Sequence, residues 1–426
     1  MTGFDLVVEG RTFIDGELTY AEIGILDGRI AGIGKSLAGG DRRLDVGTSG
    51  IILPGFIDPH VHFRDPGLTE KEDFSTGTLS AVHGGVTCVL DMPNTKPPTI
   101  DRETLTAKKD RLRGRAHTDY GLLAAVTADC DIASMAPHAA GFKLFMGSTT
   151  GNILLNDDRA IAAAMAGIEK TGKRLSVHAE DDSLILGGCE GCTADHHRNR
   201  PVRAEHEAVR RLGRYRGKRI NICHNTTAEG LDAASSYGFT TEVTLHHLLF
   251  DTVRHTGAEY KVNPPIRDPV TRERLWNAFV HGKASMFGSD HAPHTSSEKA
   301  EDFDIAPGGV PGVETTMPIV MDMVRRDIIP LKRAVSMGSE NPAAAFGIRS
   351  KGRIAVGYDA DLSVFDLRRH AGIDVKRLHS KCGHSPYGGM TAIFPDTVII
   401  RGGIQVQDGE FCGDRIGEDI IGPVRS

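Results

Sequence analysis

The sequence predicts an α/β fold: a (β/α)8 TIM-type barrel carrying a small β-sandwich domain formed from both termini. Three observations carry that expectation. Eight apolar, β-rich runs recur near 51–57, 86–92, 119–126, 141–146, 174–179, 219–224, 240–246 and 284–290, with helical stretches between most of them. The two ends of the chain instead show short strand-like segments broken by Gly and Asp turns. A polar residue also closes most of the eight runs, at the end of the strand where a barrel gathers its active site.

Taken in order, residues 1–52 open with Leu6-Val7-Val8-Glu9-Gly10 and then Ala21 to Ile30, which contains the hairpin signal Asp27-Gly28. Ala360–Asp366 and Thr397–Gly403 have the same texture. Residues 1–52 and 346–426 are therefore expected to form one composite β domain, since chain termini often lie close together. Residues 53–345 are expected to form the barrel. Within it, Asp157-Asp158-Arg159 opens a helix with acids, as the positive end of a helix dipole favours. Residues 204–212 and 271–277 read as two further helices.

The 426 residues suffice for one large barrel and a smaller domain. A net charge of −6 with both signs scattered gives no nucleic-acid footprint. No apolar run approaches the roughly 20 residues that span a bilayer, and the N-terminus lacks the pattern of a signal peptide. Seven scattered cysteines argue for thiols and not a disulfide framework. A cytoplasmic protein is the expectation.

The chemistry begins at Asp58-Pro59-His60-Val61-His62-Phe63-Arg64. Two histidines at i and i+2 on a strand end point the same way and suit a divalent transition metal. Arg64 adds a planar fork that can grip a carboxylate in two places; its alternative reading is a surface salt bridge. Further along, the strand ends carry Asn94, Lys143, His178, His224 and Asp290. Packing alone does not explain a polar residue at the same end of so many strands.

Four ordered blocks, His60-Val61-His62-Phe63-Arg64-Asp65-Pro66-Gly67, Asp91-Met92-Pro93-Asn94-Thr95, Lys261-Val262-Asn263-Pro264-Pro265-Ile266-Arg267 and Ser289-Asp290-His291-Ala292-Pro293-His294, resemble the amidohydrolase superfamily, and within it the dihydroorotase group of cyclic amidohydrolases. The resemblance covers nearly the whole chain. It implies two divalent metal ions, expected to be zinc. His60, His62 and Asp290 would hold the more buried ion and His178 and His224 the second. A carboxylated Lys143 would bridge them, because an ammonium has no lone pair for a cation whereas a carbamate offers two anionic oxygens. Lys143 read without the resemblance is a strand-end lysine paired with an acid. Activated water would then open a cyclic amide, interconverting dihydroorotate and N-carbamoyl-L-aspartate in pyrimidine synthesis, with Asp290 as proton shuttle. Arg64, Asn94 and His294 would hold the substrate carboxylate, and His62, Asn263, Gly308 and Gly309 would face the ring. The expected partner is a small molecule, with neither nucleic acid nor membrane. The resemblance is compatible with a homo-oligomer or a complex with another enzyme of the pathway.

Other residues are assigned no role. Cys189-x-x-Cys192 with His196 and His197 lacks a second pair at metal-binding spacing and reads as a loop. Cys223 should point away from the site by strand alternation. His246-His247 either support the site or are simply packed. The nearest rival function is a hydantoinase, dihydropyrimidinase or allantoinase, whose substrates lack the ring carboxylate. A non-catalytic scaffold barrel is a second rival.

Overall fold

The computed structural model describes residues 3–149 and 153–421. The chain opens with β1 (Leu6–Ile14), β2 (Glu17–Leu26), β3 (Arg29–Gly34), β4 (Arg43–Asp45) and β5 (Gly50–Pro54). The barrel strands follow: β6 (Phe56–Val61), β7 (Val86–Asp91), β8 (Asp119–Ala125), β9 (Gly141–Phe145), β10 (Leu175–His178), β11 (Ile220–Ile222), β12 (Thr240–Val243) and β13 (Met286–Phe287). The chain then runs through β14 (Leu362–Asp366), β15 (Ala371–Gly372), β16 (Thr391–Ala392), β17 (Thr397–Ile400), β18 (Gly403–Gln407) and β19 (Glu410–Phe411).

Strands β6 to β13 lie in sequence order in one parallel sheet. The ends meet where Val61 bridges His291 in parallel and the His62 N–H donates to the His291 carbonyl at 2.7 Å. That closure sets the His60–His62 pair beside Asp290. Helices cover the outside. The one over Asp158–Thr171 starts where the Asp157 side chain accepts from the backbone of Arg159 and Ala160, and ends at Gly172 in the left-handed region. Helices at Val202–Leu212 and Pro269–Val280 extend the two segments expected from sequence. Along β9, Phe142 and Leu144 join the main apolar core while Lys143 alternates to the barrel interior.

Outside the barrel, nine strands form a second sheet in the order β19-β18-β17-β14-β5-β1-β2-β3, with β4 alongside β1. Antiparallel pairing of β14 with β5 brings the two ends of the chain into that sheet. At the β2–β3 turn, Asp27 and Gly28 sit at φ 51° and 76°, the type I′ geometry that such a pair adopts. One boundary needs correcting. The apolar run at 51–57 is not one barrel strand: Gly50–Pro54 belongs to the outer sheet, and the barrel strand starts at Phe56. Gly55 passes the chain between the sheets, where a Cβ would collide with the Thr87 side chain. Both segments are buried on both faces, so their sequences look alike.

Among the described residues no helix is long and apolar enough to cross a membrane.

Candidate metal centre

The barrel mouth gathers almost every side chain singled out from sequence. His60, His62, Arg64, Asn94, Lys143, His178, His224, Asn263, Asp290, Gly308 and Gly309 line one cavity, together with Phe145, Thr149 and Ala292. His294 does not line it and stands behind Arg64.

Three of the four histidines are oriented from outside. His60 Nδ1 lies 2.8 Å from Glu242, His62 Nδ1 lies 2.7 Å from the Asn94 carbonyl oxygen, and His178 Nε2 lies 2.8 Å from Glu180. Each outer partner is an acceptor, so the outer nitrogen carries the proton and the inner one keeps its lone pair. The inner atoms converge. His60 Nε2 and His62 Nε2 lie 3.4 and 3.2 Å from Asp290 Oδ1, and His178 Nδ1 faces His224 Nε2 at 3.2 Å. His60, His62 and Asp290 offer donor atoms close enough together to share one ion.

Protonation agrees with that reading at three of the four rings. Burial holds His62 down to about 3 and also lowers His178 and His224, so these imidazoles are neutral. At His60, burial and Lys143 pull downward, but the surroundings, with the carboxylates of Glu242 and Asp290 among them, outweigh them and push it up to about 10. The pocket draws positive charge to that spot. Asp290 is held well below the usual carboxylate range: burial raises it, and His60 and His62 more than offset the burial.

Lys143 is fully buried. Its Nζ lies 3.0 Å from Cys223 Sγ and 3.5 Å from His60 Nε2, and among the described residues no carboxylate is within ion-pair distance. The acid-paired lysine is thus excluded, and a buried ammonium without a counter-ion is unfavourable. With the converging lone pairs and the buried, unpartnered Nδ1 of His224, the donor set fits divalent cations.

Arg64 is 2% exposed, which rules out the surface salt bridge. Its Nε donates to the Pro293 carbonyl at 3.2 Å, and Nη2 lies 3.2 Å from His294 Nε2. No carboxylate among the described residues stands within ion-pair distance of it. His294 is held neutral, well below the ordinary histidine range, by burial and then by Arg64, Lys71 and Lys299. Its Nδ1 accepts from Lys71 Nζ at 3.2 Å, so Nε2 carries the ring proton and donates to the Gly308 carbonyl at 3.1 Å; the ring holds the 308 loop by that bond and meets Arg64 by packing alone. Asn263 Oδ1 lies 2.9 Å from His196 Nε2. Gly309 has φ 144°, and a Cβ there would run into the Ala292 carbonyl.

Three of the site residues, Arg64, His224 and Asp290, hold positive φ (62°, 35° and 47°) without being glycine. Such backbone costs about 1–3 kcal/mol each and persists where surrounding structure imposes it. The turn at His224 explains one reversal of expectation. Strand β11 stops at Ile222, so alternation no longer governs, and both Cys223 and His224 face inward.

Two of the outer partners, Glu242 and Glu180, are not among the residues singled out from sequence. Glu242 is a fully buried acid inside the seventh strand, and Glu180 sits two residues beyond His178, gripped by Arg200 at 2.6 Å. A lone acid within an otherwise apolar or hydroxyl-bearing strand, Thr240-Thr241-Glu242-Val243, was the available signal. The Cys189–Cys192 segment forms no metal group among the described residues; instead His196 pairs with Glu190. His246 and His247 are both buried, the latter between Thr244 and the Pro264 carbonyl.

This geometry has relatives. A dihydroorotase from Methanosarcina mazei is 36% identical over 422 residues, covering 92% of each chain. One from Thermoplasma volcanium is 37% identical over 413 residues, covering 96% of each. Among solved structures, an L-hydantoinase (dihydropyrimidinase) from Arthrobacter aurescens superposes with a TM-score of 0.90 at 28% identity, covering 97% of this chain and 99% of that one. A D-hydantoinase from a Thermus species gives 0.88 at 26% identity, covering 97% and 98%. Residues 51–404, which carry every side chain of the cavity, match the amidohydrolase family, and the chain belongs to that family.

Proposed function

We propose that the chain is a dihydroorotase, interconverting dihydroorotate and N-carbamoyl-L-aspartate in pyrimidine synthesis. The full-length relatives carry that name. The observation that carries the reading is Arg64, a buried guanidinium at the cavity wall with no carboxylate within ion-pair distance among the described residues. A ring carboxylate supplies the missing partner through two charge-assisted hydrogen bonds.

His60, His62 and Asp290 would hold one zinc ion, His178 and His224 a second, and carboxylated Lys143 would be shared between them. Bound there, such ions lower the pKa of water and polarise a carbonyl. The protein's own part is to orient and to move protons. Glu242, Asn94 and Glu180 fix the tautomers of His60, His62 and His178. Arg64 fixes the substrate by its carboxylate, and the backbone at Gly308 and Gly309 leaves room for the ring. Asp290, with Oδ1 turned to the histidines, takes the proton of the attacking water on Oδ2 and gives it to the ring nitrogen as the C–N bond breaks. Cyclisation runs these transfers backwards. The seven free thiols suit a reducing compartment such as the cytoplasm.

Hydantoinase activity is the second reading, favoured by the structural likeness. One assay separates them. The zinc-loaded protein is given dihydroorotate, N-carbamoyl-L-aspartate, a 5-substituted hydantoin and allantoin separately, with ring absorbance followed. Turnover confined to the first two is expected. Hydantoin opening without dihydroorotate opening would overturn the assignment.

A further inference from the structure

The chain between β14 and β17 leaves the outer sheet and returns to the barrel mouth, where five consecutive residues, 380–384, touch two separate loops. On one side, Ser380 Oγ donates to Glu72, and Lys381 Nζ donates to the Thr69 carbonyl at 2.9 Å and pairs with Asp73. These contacts hold the loop that follows Arg64. On the other side, His384 Nε2 lies 3.0 Å from the His294 carbonyl, and Ser296 Oγ donates to the Cys382 carbonyl at 2.7 Å. These hold the loop that carries Pro293 and His294.

Arg64 lies where the two loops meet. Its direction is set by the Pro293 carbonyl and by the ring of His294, both on the second loop. A planar fork tolerates little error in aim, because both of its hydrogen bonds must point at the same carboxylate. We propose that residues 380–384 are a staple that sets the aim of Arg64, with His384 as the positioning residue for recognition of the substrate carboxylate. This deepens the functional reading above and rests on it. Among the described residues the His384 ring hydrogen-bonds to no lining residue of the cavity; it acts through the backbone of His294.

The test uses the full-length, zinc-loaded protein with His384→Ala, His384→Gln and Ser296→Ala. KM and kcat for dihydroorotate are measured together with metal content and thermal midpoint. His384→Ala should raise KM roughly five- to tenfold, the worth of one hydrogen bond, with kcat within twofold and metal content unchanged. His384→Gln, whose amide reaches the same carbonyl, should recover most of that loss. Ser296→Ala, which cuts the second tie on the same loop, should shift KM in the same direction and serves if His384→Ala does not fold. An unchanged KM in both alanine variants, or a fall in kcat or metal content with KM unchanged, would overturn the staple. Absence of dihydroorotate turnover by the unmodified protein would overturn the functional reading and the staple with it, whereas an active parent with indifferent variants overturns the staple alone.

Discussion

Replacing Arg64 with methionine separates the two functional readings and can be sized from the structure. Methionine keeps an unbranched stem of similar length in the cavity wall and removes only the charged fork. The left-handed backbone at this position, φ 62°, penalises both side chains alike. Two charge-assisted hydrogen bonds to a carboxylate contribute about 1.5–3 kcal/mol each. Coulomb attraction between unit charges 4 Å apart, at an effective dielectric constant of about 20, comes to about 4 kcal/mol. The two estimates describe the same contact and agree near 3–4 kcal/mol, so kcat/KM for dihydroorotate should fall about 10²- to 10³-fold. Stability should move the other way. Burial lowers the Arg64 guanidinium to about 10, against the partial support of Asp290 and Asp91. That is a cost of roughly 3 kcal/mol to the charged form, which methionine does not incur. Steady-state kinetics with dihydroorotate and with a neutral hydantoin, alongside thermal melts, read both effects. A loss of equal size on both rings would refute the carboxylate role, and a large drop in melting temperature would mean that Arg64 is a structural residue.

Other perturbations address the rest of the site. Lys143→Ala should abolish binding of the metal pair, read as zinc per chain by elemental analysis, and a short carboxylic acid should restore part of it; unaltered zinc content would remove the bridging role. Asp290→Asn should cost at least 10²-fold in kcat while much of the zinc remains, and full activity would exclude it as proton carrier. Glu242→Gln leaves His60 without its anionic acceptor and should weaken metal affinity about 10- to 100-fold in a chelator competition. Lys299 is lowered to about 7, by burial first and then by Lys261, with Glu259 and Glu298 opposing. Between about 7 and the unfolded value of about 10.4 the folded chain has released a proton that the unfolded chain retains, so this group's contribution to stability rises with pH across that window. The melting temperature of the parent relative to Lys299→Met should therefore increase from pH 7 to pH 10; a flat difference would contradict it.

Much of the ring of polar side chains at the barrel mouth was legible because a parallel barrel converts position along a strand into position in space. Once β6, β9, β10 and β11 are recognised by their apolar runs, the polar residue at each C-terminal end must face the mouth. The less legible residues were those whose direction depends on where a strand stops. Cys223 is one residue from His224, and strand alternation directs it outward; the end of β11 at Ile222 and the left-handed turn at His224 bring it in. The start of the first barrel strand is hidden for a related reason, since burial on both faces erases the alternation that would separate Gly50–Pro54 from Phe56–Val61.

By itself the sequence determined the barrel, which polar side chains stand at the strand ends and the presence of an arginine two residues beyond the second histidine, because all of these depend on local pattern and on order along the chain. Only the tertiary structure decided which acceptors orient the rings, that Arg64 is buried without an acid, that His294 stands behind it, and that residues 380–384 return to the mouth. Those facts depend on pairs such as His60 with Glu242 or His384 with His294, tens to hundreds of residues apart, which meet only when the barrel closes and the C-terminal chain folds back over it.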